Sequence, residues 1–207
     1  MHSVTVKRFK SMNVLRRVLH KSLPLALLAQ LSLLPATADA EVWSKLADLG
    51  REGTEQLRLI KEQGSTDLYL SGYAYHGRST YTEERLAELN EKAWGVGVGR
   101  RLRNARGNDD IIYALGLSDS HYKPQLMVGY AHEWMHSFGY SSLEVGAGYT
   151  VMLVSRADYF GGFPFPAVLP VGSIGTRDVK LRASYVPRLS QEKGNGDVLL
   201  LFVSIAI

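Results

Sequence analysis

A histidine, an aspartate and a serine brought together can move an acyl group between oxygens. The imidazole takes a hydroxyl proton, the hydroxyl attacks or polarises an ester, and the carboxylate orients or charges the base. This chain offers such a set in His76 and the adjacent pair Asp119-Ser120. There is no cysteine, which excludes disulfides and thiol chemistry. Taken alone, His76 also reads as a hydrogen-bonding group at a strand end, and Asp119-Ser120 as an ordinary turn pair. Distant in sequence, the three act together only if the fold gathers them.

The elements that would gather them are strands. From residue 67 to 207 the chain alternates apolar and polar positions in short runs separated by turn clusters. The spacing predicts strands over 68–78, 93–103, 110–118, 125–134, 138–155, 167–175, 177–186 and 197–207, with a charged loop at 83–92 that has room for one helical turn. That is about eight strands of about ten residues, enough to cross a bilayer at a tilt and to close on themselves. Tyr75, Trp94, Tyr122, Trp134 and Tyr185 stand near strand ends, as aromatic girdles require. The expected fold is all-β, an eight-stranded antiparallel transmembrane β-barrel preceded by an N-terminal amphipathic α-helix. A soluble eight-stranded barrel is the competing reading. Leu199, Leu201, Val203, Ile205 and Ile207 form an unrelieved apolar face that argues against it.

The front of the chain supports export. Residues 1–40 read as a signal peptide: a basic start, the apolar run from Leu23 to Leu34, and Ala38-Asp39-Ala40 as the cleavage site. Met12 is an alternative start. The net charge of +4 belongs largely to this leader. Six of the 24 basic residues and one of the 20 acidic ones lie in it, so 18 and 19 are left, net −1. The basic balance therefore says nothing of nucleic acid, and no nucleic-acid partner is expected. Residues 41–66 hold the amphipathic helix, with Val42, Leu46, Leu49, Gly53, Leu57 and Ile60 on one face and Gly64 as its stop.

Parity then places the chemistry. Alternate connections are short, so strands running the same way end on the other rim, where the loops are long; in such barrels that rim faces outward. The residues gathered there are His76, Asp119, Ser120, Arg156 and Pro187. The helix and the C-terminus fall on the periplasmic side. Inward positions look small or apolar: Gly95, Gly97 and Gly99, then Gly129 and Ala131, then Gly146, Gly148 and Met152. A dry lumen of that kind suits a hydrocarbon chain, and it suits a packed core equally well.

Several short motifs, in order, carry a resemblance. They are Asp67-Leu68-Tyr69, Tyr75-His76 with Arg78, Tyr81, Asn90-Glu91, the run from Trp94 to Gly99, Asp119-Ser120, Gly129-Tyr130, the runs from Ser155 to Asp158 and from Pro164 to Pro170, and Tyr185-Val186-Pro187. Together they resemble the lipid A palmitoyltransferase (PagP-type) family over nearly the whole mature chain. The resemblance implies transfer of a fatty acyl chain, palmitate or slightly shorter, from the sn-1 position of a glycerophospholipid to a hydroxyacyl chain of lipid A in the outer membrane. It implies His76, Asp119 and Ser120 as catalytic residues, with His76 as base and Asp119 supporting it, and no cofactor or metal. Ala131 matches the floor of the acyl pocket, where the family often has glycine. The extra methyl predicts a slightly shorter chain. Phe165, Pro170 and Pro187 match a phospholipid gate. A second pair of gate prolines is missing, replaced by Ser71 and Ala93. Arg85 and Arg156 are the cations offered to lipid A, and the protein is expected as a monomer or homodimer. Two rivals stand beside this reading: a lipid A deacylase or phospholipase, and a small outer-membrane barrel without enzymatic activity.

Overall fold

The computed structural model describes residues 40–139, 141–188 and 196–207. The leader reading over 1–40 lies outside these residues except for Ala40, and so does most of the last expected loop, 191–196. The strands are β1 Ser65–His76, β2 Gly95–Arg103, β3 Asp109–Ser118, β4 Pro124–Ser137, β5 Glu144–Arg156, β6 Phe165–Gly175, β7 Val179–Val186 and β8 Val198–Ala206. They pair antiparallel in sequence order and close between β8 and β1. A helix, α1 Ala40–Gln63, precedes them, and a short one, α2 Glu83–Glu88, lies in the expected charged loop. The chain forms two compact units, divided within α1 between Thr54 and Glu55. In the first, Leu46 and Leu49 are half-buried and Gly53 is buried. In the second, Ile60 is fully buried, and Gln56 Nε2 donates to Asp110 Oδ2 at 3.0 Å.

The period-2 alternation produces the two faces of the barrel wall. Outward positions stay apolar and exposed, including Leu70, Val96, Val98, Leu126, Val128, Leu153, Val168 and Leu181. A belt of that extent makes sense against lipid and not against water. The five girdle aromatics are exposed as well. Gly95, Gly97 and Gly99 share the inward face, and Gly99 shows why: a Cβ there would meet the Tyr69 ring at 2.8 Å and the Ile112 carbonyl at 2.7 Å.

Several strand boundaries shift by a few residues from expectation, and two of the shifts have a plain cause. The fifth strand starts at Glu144 rather than 138, because the chain turns after Phe138, with the Ser141 N–H donating to the Phe138 carbonyl at 2.7 Å. The sixth starts at Phe165 and runs through Pro166 and Pro170. Proline has no N–H for a ladder. Strand β6 tolerates two of them because its ladder to β7 begins only at Val171↔Ser184 and ends at Gly175↔Lys180.

The lumen corrects the expectation of an uncharged interior. The half toward the end of β1 is apolar, with Ala74, Leu115, Leu117, Met127, Met152, Val154 and Leu200 buried together. The other half is filled by ion pairs. Arg101 binds Asp67 through two contacts of 2.7 and 3.1 Å. Arg103 bridges Asp109 and Glu144, Lys180 reaches Glu144, and Arg182 pairs with Glu133. Gly146 on β5 leaves room for the Glu133 carboxylate of β4, which a Cβ there would meet at 3.0 Å.

Candidate active site

His76 is the last residue of β1 and is buried, 1% exposed. Its Nε2 lies 2.9 Å from Ser120 Oγ. Tyr81 packs edge-on against the ring, with centroids 5.3 Å apart and planes at 84°. The turn after His76 is stapled to the start of β8: the Gly77 N–H donates to the Asp197 carbonyl at 2.9 Å, and Thr80 Oγ1 donates to the Asp197 carboxylate at 2.5 Å. A side chain at position 77 would collide with that carboxylate, so only glycine fits between the imidazole and Arg78.

Ser120 comes from the β3–β4 turn, and Asp119 builds that turn. One Asp119 oxygen, Oδ1, accepts the N–H groups of His121 and Lys123, both at 2.8 Å. The other faces Arg156 Nη2 at 3.8 Å. This carboxylate shapes the loop that presents the serine, through two backbone N–H groups of its own turn rather than through the imidazole. Asn90, also buried, ties the loop from the opposite side. Its N–H donates to the Ser120 carbonyl at 2.9 Å, and its Nδ2 to the Asp119 carbonyl and Ser118 Oγ, both at 3.1 Å. A hydroxyl is thereby held against an imidazole at the end of an apolar lumen.

Ala131 lines a cavity of about 30 Å³ with Tyr69, Tyr113, Met127, Glu133, Arg182 and Phe202. One inward position further along β4, Glu133 begins the ion-paired half. From the Ser118↔Pro124 rung to the Ile111↔Ala131 rung is roughly 23 Å along the strand, or about 18 Å along a tilted barrel's axis. That is the span of a long fatty acyl chain.

The expected gate residues lie near the stretch of β6 that makes no ladder pairs with β7. Pro170 immediately precedes the first β6–β7 rung, and Pro187 follows the end of β7. Phe165 packs on the lumen core and stacks with Tyr159 and Phe160 at 5.7 and 5.5 Å. Between β1 and β2 the ladder also stops early, at Ser71↔Gly95. There the residues that replace the missing prolines bridge the gap, with Ser71 Oγ donating to the Ala93 carbonyl at 2.7 Å and the Ala74 N–H to the Glu91 carbonyl at 2.8 Å. Arg85 is exposed on α2 and pairs with Glu88. Arg156 is paired with Asp158 at 2.9 Å and stacks on Tyr159.

Two residues at this site escaped assignment from sequence. Asn90 and Glu91 belong to the motif that carried the resemblance, yet neither has a role that spacing reveals, since both sit in a loop whose path the strand pattern does not predict. Glu91 accepts from Arg78 Nη1 and Nη2 at 2.6 and 2.9 Å, from Tyr73 OH at 3.0 Å and from the His76 N–H at 3.1 Å. The Arg78 hydrogen bonds hold its carboxyl down at about 2.

The family described as "Antimicrobial peptide resistance and lipid A acylation protein PagP" matches residues 56–204. The lipid A acyltransferase PagP of Bordetella parapertussis is 38% identical over 173 residues, 83% of this chain and 91% of that one. The protein of the same description from Methylobacillus flagellatus is 39% identical over 141 residues, 68% and 74% of the two chains. That of Legionella pneumophila strain Paris is 37% identical over 146 residues, 70% and 76%.

Proposed function

Because this chain belongs to the PagP family, we propose that it takes a fatty acyl chain from the sn-1 position of a glycerophospholipid and esterifies it to a hydroxyacyl chain of lipid A. It is an acyltransferase of lipid A and an outer-membrane barrel. The observation that carries the mechanism is the 2.9 Å contact between His76 Nε2 and Ser120 Oγ at the mouth of the apolar lumen. The donor's acyl chain fills the lumen, which brings its ester to that contact. His76 takes a hydroxyl proton, the oxygen attacks the ester carbonyl, and the lysophospholipid oxygen leaves with a proton returned by the imidazole. Asp119 acts by shaping the Ser120 turn. The donor enters between β6 and β7, beside Phe165, Pro170 and Pro187, where the ladder is missing. Arg85 and Arg156 offer their charge to lipid A phosphates. The reactive rim faces outward, with the N-terminal helix and the C-terminus on the periplasmic side. The contrast between the long connections 77–94 and 157–164 and the short ones 104–108 and 176–178 supports this orientation.

The test is to supply the folded protein with lipid A and phospholipid labelled in the sn-1 acyl chain. Label is expected on lipid A. Label released as free fatty acid would make the protein a hydrolase, and transfer of an sn-2 label would overturn the donor assignment.

Chain length follows from Ala131. The lumen ends at the Glu133–Arg182 pair, and the Ala131 methyl shortens it just before that point. One methylene of fit is worth about 1–3 kcal/mol in such pockets. Ala131→Gly is therefore expected to move the preferred donor chain up by about one methylene, read from competition among phospholipids of defined sn-1 length. An unchanged profile would remove Ala131 from the floor.

A further inference from the structure

The Nδ1 of His76 is a buried polar atom with no hydrogen-bond partner among the described residues. The acceptor facing it is Glu91 Oε1, at 3.5 Å. That is looser than a formed hydrogen bond and typical of unliganded sites, which tighten when substrate arrives. The carboxylate is not free to drift, since four donors from Arg78, Tyr73 and the His76 backbone hold its two oxygens. On the other side of the ring, Nε2 meets Ser120. Ser120, His76 and Glu91 therefore stand in the order of hydroxyl, base and orienting carboxylate. Asp119 Oδ1 is taken by two backbone N–H groups, while its Oδ2 is buried with no hydrogen bond among the described residues and lies 3.8 Å from Arg156 Nη2.

We propose that Glu91 is the positioning residue of the reaction: its carboxylate receives the Nδ1–H of His76, fixing the tautomer that leaves Nε2 free to take the hydroxyl proton, and it stabilises the imidazolium that forms. The inference rests on the reading of His76 as the base. The chemistry explains why a carboxylate already bound to Arg78 is used. Arg78 fixes its position and keeps it ionised; Oε1, which already accepts from Arg78 Nη1 and the His76 N–H, takes Nδ1–H as a further charge-assisted contact. It also explains why residues 89–94 cross the β1–β2 gap. The Ala74 N–H and the His76 N–H anchor that segment to β1 beside the imidazole.

The charged groups facing the ring are Glu91 and, behind it, Arg78; Tyr81 is the neutral titratable group on its flank. Removing them one at a time separates an electrostatic role from a scaffolding one. In Glu91→Gln, with the barrel confirmed folded by heat-modifiable gel mobility, kcat is expected to fall about 10- to 100-fold with KM little changed. The acid limb of kcat should move to lower pH by about one unit, because the imidazolium has lost its counter-charge. In Arg78→Gln the carboxylate is less neutralised, so the limb should move the other way, to higher pH. Opposite displacements support the proposal. Loss of activity in both variants with the limb unmoved would make Glu91 a loop anchor only and overturn it. If Glu91→Gln fails to fold, an unmoved limb in Arg78→Gln overturns it alone. His76→Ala serves as the reference: activity surviving there would sink the base assignment itself, an outcome distinct from failure at Glu91.

Discussion

Replacing His76 by alanine is expected to lower acyl transfer by about 10²–10⁴-fold, the range that a positioned general base supplies. The ring is buried and its Nε2 is 2.9 Å from Ser120 Oγ, so the proton has an acceptor at transfer distance before substrate binds. Ser120→Ala then separates two routes. If Ser120 attacks the ester, its loss should equal that of His76→Ala, because the two act as one unit and their effects do not add. If the hydroxyl of lipid A attacks directly and Ser120 only polarises, the loss should be closer to that of a single transition-state hydrogen bond, about 10²–10³-fold. Both are read from the initial rate of labelled-acyl transfer in detergent micelles. Transfer at the wild-type rate in His76→Ala would place the chemistry elsewhere.

The largest effect on stability is expected at the lumen's ion pairs. Arg182 is 3% exposed, and its acidic partner there is Glu133, which also accepts from Ser173 Oγ at 2.7 Å. Glu133→Ala leaves the guanidinium buried with Ser204 Oγ and the face of Tyr69 for company. Breaking a buried pair from one side costs about 3–5 kcal/mol, since the remaining charge has neither water nor partner. The double change Glu133→Leu with Arg182→Met removes both charges and should recover most of that loss. Reversible unfolding in urea, followed by tryptophan fluorescence in micelles, measures both variants. A cost below about 1 kcal/mol for Glu133→Ala would mean that water screens the pair, as it does for surface ion pairs. The same variant also removes the polar end of the acyl lumen, so the donor-length profile should broaden toward longer chains.

Alternation by itself determined the wall of this barrel. Leu199, Leu201, Val203 and Ile205 recur at every second position, and side chains on a strand change face at every residue, so the strand and its membrane-facing character follow without knowledge of any neighbour. The same rule brought His76, Asp119 and Ser120 to one rim, because strands running the same way end on the same side. Closure was needed for the rest. Which side chains meet across a closed barrel depends on stagger between strands, and the sum of eight pairings sets that stagger. Only the closed structure shows Arg101 paired with Asp67, Arg182 reaching Glu133, and one half of the lumen charged. Only the register shows that the ladders stop at Ser71↔Gly95 and at Val171↔Ser184, leaving the wall open beside Pro170 but stitched at Ser71. The carboxylate beside His76 was decided in the same way. Asp119 neighbours the serine in sequence, but its Oδ1 is drawn to the backbone of its own turn. Glu91 arrives from a loop with no periodicity, and it stands next to the imidazole because its chain crosses the gap that the β1–β2 ladder leaves.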